Sequence, residues 1–426
     1  MSVMILVARL VLAFFSATLA WGADDDLSGP EFNVRLLPSS PQVEDTPPSP
    51  TVAKKPLAEM VFDSVRDRSK NHPKLKKIES LIAQTKKDLG SLRGKNQRDR
   101  VMVLRDGLYA IAKAGGPTAF LATDEDQDFA AWQSAFSGSL EGARTPQIGV
   151  RVERRGAKWF VAKVYAGSGA QRAGLMDGDE WLRTDGKPAQ PIQDLKRAKP
   201  GTTLTLTVRR RADGPTRDIQ VPTGFLSTQE MLATHMDKSH RVLSARDPNP
   251  PNPQKTDDLA VAYVTLPAAS HGIFREQLAR LAAKYQAESD AMILDLRGGI
   301  IGPDATYVEP FLGEGSLYTK PLVVLVDRST GGGRERLAEI LQKTGRGTLV
   351  GEPTQGLREV LDFQDLIPGE AALIFPVPSL NPKVEPENRP LKPDVPVESL
   401  TMYSAGTDEA LNKALTVVTT LIRKRA

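Results

Sequence analysis

The chain has 426 residues, of which 40% are hydrophobic and 25% charged, and its formal net charge at pH 7 is +4. This composition is typical of a soluble globular protein, and the length allows two or three modules with a sizeable core. The absence of cysteine excludes disulfides, a thiol nucleophile and thiolate metal ligands. The mild positive charge does not indicate nucleic-acid binding, because the basic residues between positions 70 and 100 are typical of a solvated helix face.

The N-terminus, residues 1–22, is predicted to be a secretory signal. Arg9 is the single early positive charge, residues 10–19 form an apolar run, and cleavage is expected near Gly22. The uninterrupted run is too short for a membrane span, although an uncleaved anchor remains an alternative. No later stretch is apolar enough to cross a bilayer. Export without disulfides favours the bacterial periplasm or cell envelope.

The rest of the chain divides into six segments by composition and periodicity. A tether rich in Pro, Ser and Asp is followed by a region of helical periodicity, in which Leu75, Ile78 and Ile82 share one face. Short strands, a second proline-rich link, a β-α-β pattern and a closing amphipathic helix come next. The predicted boundaries are 23–60 for the tether, 61–140 for the helical region, 147–224 for the strand-rich module, 225–256 for the linker, 257–400 for the α/β core and 401–426 for the C-terminal helix.

The strand-rich module resembles a PDZ domain of the bacterial envelope-protease type, on the strength of an ordered set of glycine turns. That set begins at Gln147-Ile148-Gly149-Val150 and continues through Gly167-Ser168-Gly169 and Asp177-Gly178-Asp179. A glycine at 149, which has no evident packing role in the sequence, lets backbone N–H groups converge on a peptide carboxylate. The strand 148–152 then pairs with the peptide, and the expected peptide-binding residues are Gln147, Ile148, Gly149, Val150 and Leu195. The alternative is that the apolar members of this set form only the core of a small domain.

The remainder of the chain resembles the C-terminal processing (tail-specific) serine peptidases. The runs that carry this resemblance are residues 117–121, 262–264, 293–298, 321–326, 345–354 and 391–397. The resemblance implies an α/β fold: a ClpP/crotonase-like core with an inserted all-β PDZ domain and an N-terminal helical segment. It also implies polypeptide substrates and neither a cofactor nor a metal.

The chemistry that this resemblance implies does not carry over to the sequence. In the family a serine attacks the peptide carbonyl, a lysine deprotonated by burial accepts its proton, and a glutamine positions the lysine. The matching positions here are Gly332, Leu357 and Leu361, and none of these side chains can do that work. The family's Asn-Pro-Gly-Gly continuation after Arg297 is also missing, which predicts a shortened loop and the loss of oxyanion donors.

Other residues are candidates for a displaced site. Ser329 or Thr330 could act as a nucleophile, although a role as helix caps explains both. Arg358 stays protonated and cannot serve as a base, and three histidines lie in or near links: His235, His240 and His271. An acidic cluster precedes a predicted helix, whose N-terminus explains it without a metal; its members are Asp124, Glu125, Asp126 and Asp128.

The sequence therefore predicts an exported, non-catalytic homologue of these peptidases that binds C-terminal or unfolded peptide tails as an adaptor or regulator. An active envelope protease is a candidate partner. The alternative function is an active serine endopeptidase that uses Ser329 or Thr330. A third is a structural envelope protein whose PDZ groove is occupied by its own chain.

Overall fold

The computed structural model describes residues 55–424 except 93–96, 118, 125, 138–143, 246–257, 303–306, 358–360, 377–389, 399 and 401. The predicted signal, most of the predicted tether, Glu125 and Arg358 lie outside the described residues. Among the helices that are described, none is both long and apolar enough to span a membrane.

Three helices open the described chain: α1 (Leu57–Ser69), α2 (Leu75–Ser91) and α3 (Gln97–Lys113). The start of α1 lies inside the range predicted as tether, because Val61, Phe62 and Val65 provide an apolar face that packs on the other two helices. Strand β1 (Phe120–Thr123) and helix α4 (Phe129–Ser137) follow.

Residues 145–226 form an all-β unit, here called the antiparallel module. Its elements in chain order are β2 (Thr145–Gln147), β3 (Val150–Arg155), β4 (Lys158–Val164), α5 (Gly169–Arg172), β5 (Glu180–Thr184), β6 (Lys187–Pro188), α6 (Pro191–Arg197), β7 (Thr203–Arg209), β8 (Thr216–Pro222) and β9 (Gly224–Leu226). The main sheet has the order β3-β4-β5-β7-β8 with β6 on β5, and β2 pairs with β9. Strand β3 therefore lies at an edge of the sheet, and Val161, Trp181 and Leu206 fill the core beneath it.

The range 225–256, predicted as a linker, contains regular structure in its described part. Helix α7 (Thr228–Ser239) begins with a capping box between Ser227 and Glu230, and β10 (Arg241–Ala245) follows. Met231, Leu232 and Met236 are buried against the core. Their helical spacing is the signal that the linker interpretation overlooked.

The core alternates strands and helices: β11 (Leu259–Thr265), α8 (Gly272–Glu288), β12 (Ala291–Asp295), β13 (Leu322–Val326), α9 (Gly333–Lys343) and β14 (Thr348–Gly351). β11 to β14 are parallel neighbours, and β10 pairs antiparallel with β11. The sheet is covered on both faces, which explains why β12 and β13 are continuously apolar.

The last elements are β15 (Leu361–Ile367), β16 (Ala371–Pro376), β17 (Val395–Pro396) and α10 (Glu409–Arg423). β15 and β16 form a three-stranded antiparallel sheet with β1, while β17 adds to the parallel sheet beside β14. Ala410, Ala414 and Val418 of α10 pack on the sheet face opposite α8 and α9. The result is a mixed α/β core whose strands β12 and β13 end at one common edge.

Candidate functional site

The turn between β13 and α9 is a sharp strand-to-helix turn with glycine at its tightest point. β13 ends at Val326, and Gly332 precedes the first helical residue with φ 62° and ψ −138°. Such a positive φ is unfavourable for residues with a side chain, although nucleophiles on strand–turn–helix motifs accept this strain. The chain therefore forms a strand–turn–helix motif with glycine at the predicted nucleophile position.

The loop that follows β12 closes the space in front of Gly332. A Cβ placed on Gly332 would lie 2.6 Å from the carbonyl oxygen of Gly302 and 2.9 Å from Cγ2 of Ile301. These approaches are too close for any side chain unless the loop moves away. The loop that the sequence predicts to be shortened thus packs directly on the predicted nucleophile position.

Leu357, at the predicted base position, contacts the same turn through its backbone carbonyl. The N–H of Gly332 donates to the carbonyl oxygen of Leu357 at 2.6 Å. The Leu357 side chain packs in an apolar cluster with Ile301, Leu361 and Trp132. The structure therefore brings Gly332, Leu357 and Leu361 together, but as packing groups.

The buried carboxylate of Glu335 holds the segment that carries Leu357. It accepts the N–H of Leu357 at 2.8 Å, the N–H of Gly356 at 3.0 Å and the hydroxyl of Thr354. Hydrogen bonds to a charged acceptor are the stronger kind, and each of these links α9 to the neighbouring loop. Glu335 thus fixes the carbonyl of Leu357 in the direction of Gly332.

Arg334 is fully buried beside the turn and ties three backbone segments together. Its guanidinium donates to the carbonyl oxygens of Leu296, Ile300 (3.2 Å) and Ser329 (2.9 Å). Burial lowers the pKa of Arg334 to about 10, so the side chain is still a cation at neutral pH. The end of β12, the loop after it and the glycine-rich turn are all fixed by this one side chain.

The N–H of Gly298, a backbone donor beside the turn, is already hydrogen-bonded. The N–H of Gly298 donates to Ser329 Oγ at 2.9 Å and to Asp327 Oδ2 at 3.1 Å. An oxyanion site needs donors that point at the position of the developing charge. The contacts of Gly298 agree with the loss of oxyanion donors that the shortened loop predicts.

Ser329 and Thr330 close the turn with their hydroxyl groups. Ser329 Oγ donates to Asp327 Oδ1 at 2.7 Å, and Thr330 Oγ1 donates to the carbonyl oxygen of Leu296 at 3.1 Å. The predicted helix-capping role is wrong, since α9 is preceded by Gly332 and has no side-chain cap. The two hydroxyls instead satisfy polar groups within the turn.

The three histidines have structural partners inside or next to regular elements. His235 Nδ1 accepts the N–H of Ala166 at 2.8 Å, and His240 Nδ1 lies 2.7 Å from the hydroxyl of Tyr285. His271 caps the N-terminus of α8. Their placement in links, as the sequence suggested, is therefore wrong for His235.

The described members of the acidic cluster are divided among separate cations. Asp126 pairs with Arg105, and the other two described aspartates pair across to the antiparallel module: Asp128 with Arg151, and Asp124 with Lys196. Within the described ranges, no group of three or more His, Cys, Asp or Glu side chains is arranged to hold a metal.

A cavity of about 930 Å³ lies between the antiparallel module and the carboxyl ends of β12 and β13. Such strand ends are the usual place for ligands in open α/β sheets. The residues that line the cavity include five charged side chains and a serine of the glycine-rich turn: Asp128, Arg151, Lys163, Arg297, Asp327 and Ser329.

Arg297, the arginine of the 293–298 run, has a structural role at the edge of this cavity. It donates to Asp295 Oδ2 at 2.8 Å and to Asp408 Oδ2 at 2.7 Å, which links the end of β12 to the start of α10. Burial opposes the ionised form of Asp295, but Arg297 and Lys163 outweigh it and hold the pKa of Asp295 well below its usual range. The ion pairs fix the module-facing edge of the sheet.

Of the five predicted peptide-binding residues, three belong to the core of the antiparallel module. Ile148 and Val150 are 1% and 4% exposed and, with the partly buried Leu195, belong to the core of the antiparallel module. Gln147 hydrogen-bonds two neighbouring hydroxyls. The premise that Gly149 lacks a packing role is wrong, since a Cβ there would lie 2.1 Å from Cβ of Ser168.

Two residues that the sequence did not single out make contacts that organise the site. Arg334 could have been noticed because it directly follows the glycine run. Gln127 contacts the edge of β3 through its side-chain amide. No local pattern identifies it, because its partners lie in a different module.

Comparison with known proteins finds a match to one family over part of the chain. A family model described as Peptidase family S41 matches residues 302–397. A carboxyl-terminal-processing protease of Synechocystis sp. is 28% identical over 53% of this chain and 54% of the relative. The chloroplastic carboxyl-terminal-processing peptidase 3 of Arabidopsis thaliana is 23% identical over 68% of this chain and 60% of the relative. The matches thus span little more than half the length of these relatives.

Matches among solved structures include a photosystem II D1 C-terminal processing protease, at 19% identity and a TM-score of 0.44, over 83% of this chain and 97% of that one. Mature CPAF complexed with lactacystin matches at 13% identity and a TM-score of 0.47, over 86% and 99% of the two chains. The family and curated matches confirm the resemblance to the C-terminal processing peptidases that was found in the sequence.

The crowding at Gly332 predicts a specific stability effect. We expect Gly332→Ala to lower the free energy of unfolding by about 2–4 kcal/mol, because overpacking adds to the strain of a positive φ. Gly345→Ala is the matched control, with φ +65 and no atom near its added Cβ, and should cost about 1 kcal/mol. Denaturant unfolding of the two variants measures this, and equal losses would refute the packing described at Gly332.

The burial of His235 predicts a pH dependence of stability. Burial, followed by the nearby Lys163, lowers the pKa of His235 from 6.5 to about 3. Between these values the unfolded chain binds a proton at His235 and the folded chain does not, so this contribution to stability is lost as the pH falls. The slope is at most about 1.4 kcal/mol per pH unit.

The variant His235→Asn isolates this effect, because its side-chain oxygen keeps an acceptor for the N–H of Ala166 and does not titrate. Denaturant unfolding from about pH 7 to about pH 4 should show the wild type losing stability faster than the variant. If the free energy of unfolding changes with pH in the same way for both proteins, the pKa of His235 is not lowered in the folded state.

Proposed function

We propose that this protein is a non-catalytic member of the C-terminal processing peptidases that binds C-terminal or unfolded polypeptide tails. The observation that carries the non-catalytic part is the packing at Gly332. The predicted nucleophile position has no room for a side chain, and its N–H is bonded to the carbonyl of Leu357. The three predicted catalytic positions, Gly332, Leu357 and Leu361, therefore lie in tightly packed apolar surroundings.

The antiparallel module supplies the binding part of the proposal, as a PDZ-like domain. β3 is an edge strand, so its outward N–H and C=O groups can pair with an added strand. The burial of Ile148 and Val150 shifts the expected contacts from their side chains to the backbone of β3. Gly149, with φ +83, turns the chain directly before this edge.

The partners that fit this edge are extended polypeptide tails with a free C-terminus. The curated relatives are described as carboxyl-terminal-processing enzymes, which supports the same class of ligand here. With the secretory signal expected from residues 1–22, the proposed place of action is the bacterial envelope, as an adaptor for or regulator of an active protease.

The second candidate function is peptide hydrolysis by a displaced nucleophile. Ser329 favours it in one respect, because this side chain lines the 930 Å³ cavity. Its hydroxyl, however, is engaged by Asp327 and by the N–H of Gly298. A carboxylate is a poor substitute for the neutral lysine of the family as a general base.

The binding proposal predicts a preference for free carboxyl termini. A peptide with an apolar C-terminal residue should bind about tenfold more tightly than its C-terminal amide, because hydrogen bonds to a charged acceptor are the stronger kind. Fluorescence anisotropy with the two labelled forms measures the ratio. Equal affinities would argue against recognition of a C-terminus.

A further inference from the structure

The edge of β3 that the proposed function leaves open to a peptide is already paired within the chain. Gln127 Nε2 donates to the carbonyl oxygen of Val150 at 2.9 Å, and its Oε1 accepts the N–H of Val152 at 3.1 Å. These are outward-facing backbone groups that an added β-strand would use. The side-chain amide offers the same donor and acceptor as a peptide unit.

Two carboxylates flank this amide and meet basic side chains of the module. Asp128 Oδ2 lies 2.6 Å from Nη1 of Arg151 on β3, and both side chains are largely buried. Asp124 lies 3.4 Å from Nζ of Lys196 on α6, and its carbonyl oxygen also accepts from that ammonium. Asp124, Gln127 and Asp128 are called the acidic plug below.

The region beside the plug is large enough for a ligand. The 930 Å³ cavity is lined by Arg151, Val152 and Glu153 of β3 as well as by Asp128. Sites that hold peptides and small ligands commonly have volumes of this order. An extended peptide along β3 would therefore replace the plug at one wall of an existing cavity.

Building on the proposed function, we propose that the acidic plug is an intramolecular pseudo-ligand and that the external partner is an acidic extended peptide. Gln127 occupies the backbone groups of β3, while Asp124 and Asp128 neutralise the two basic residues that the incoming peptide must meet. A peptide with Asp or Glu upstream of its C-terminus restores both charge pairs when it displaces the plug. A neutral or basic peptide leaves Arg151 and Lys196 unpaired.

The test measures the affinity of two peptides for the full chain. Both have the same apolar C-terminal residue and a free carboxylate, and they differ in carrying either Glu or Gln at the upstream positions. Gln127→Ala removes the plug's backbone contacts, and Gln127→Glu is a milder second variant that keeps the acceptor and loses the donor. Gln133→Ala is the matched control, since this glutamine lies on α4 and contacts Asp365 instead of β3.

The acidic peptide should bind Gln127→Ala at least about fivefold more tightly than the wild type or Gln133→Ala, because it no longer competes with two hydrogen bonds. The affinity of Gln127→Glu for the acidic peptide should lie between those of the wild type and Gln127→Ala. If wild type and Gln127→Ala bind the peptide equally, the plug is not a pseudo-ligand, although the proposed function stands. If none of the folded proteins binds either peptide, the proposed function fails, and this inference fails with it.

The charge preference has its own variant. Lys196→Gln removes one cation at the surface and leaves β3 untouched, so the ratio of acidic to neutral peptide affinity should fall about twofold to fivefold. An unchanged ratio would overturn the assignment of an acidic partner. Hydrogen exchange adds a check without any peptide, because the N–H of Val152 should exchange faster in Gln127→Ala than in Gln133→Ala.

Discussion

The close approach between Gly332 and the loop at residues 301–302 is the constraint on which the rest of the site depends. Because residue 332 has no side chain, the carbonyl of Gly302 and the Ile301 side chain can pack against it. The same glycine donates its N–H to the carbonyl of Leu357. Any side chain at position 332 would disturb both contacts, so the turn and the two segments around it are mutually fixed.

The residues that differ from the family's expected catalytic pattern are in contact with one another around Gly332. Ile301 belongs to the loop that the sequence predicts to be shortened, and it shares an apolar cluster with Leu357 and Leu361. A serine placed at position 332 would therefore meet packed apolar side chains. The buried charges of Arg334 and Glu335 bind mostly backbone groups around the same turn, so they stabilise its packing.

Much of the parallel core could be predicted from the sequence because its strands are short, continuously apolar and separated by amphipathic helices. The run 321–326 contains strand β13 (Leu322–Val326), and the predicted C-terminal helix at 401–426 is observed over the shorter range Glu409–Arg423. The sequence analysis assigned α7 to a linker because its apolar face is short and most of the residues around that face are polar. The role of Gly149 was missed for another reason: its neighbour Ser168 is close in space but lies beyond the β3–β4 hairpin.

The sequence supplies the residue types at the candidate site but not the contacts that they make. The sequence identifies glycine and leucines at the matched positions, but the hydrogen bond between Gly332 and Leu357 depends on the register of distant segments. Gln127 shows the same limit, since its partners Val150 and Val152 lie in another module. A hydrogen bond between two modules produces no periodic pattern in the sequence of either module.

A cleavage assay with an unfolded polypeptide that ends in apolar residues tests most directly whether this protein is catalytic. The packing at Gly332 predicts that the purified wild type produces no more cleavage than a protein-free control, and that Ser329→Ala and Thr330→Ala give the same result as the wild type. Cleavage by the wild type that is abolished in either variant would show instead that the protein hydrolyses peptides with one of these hydroxyl groups.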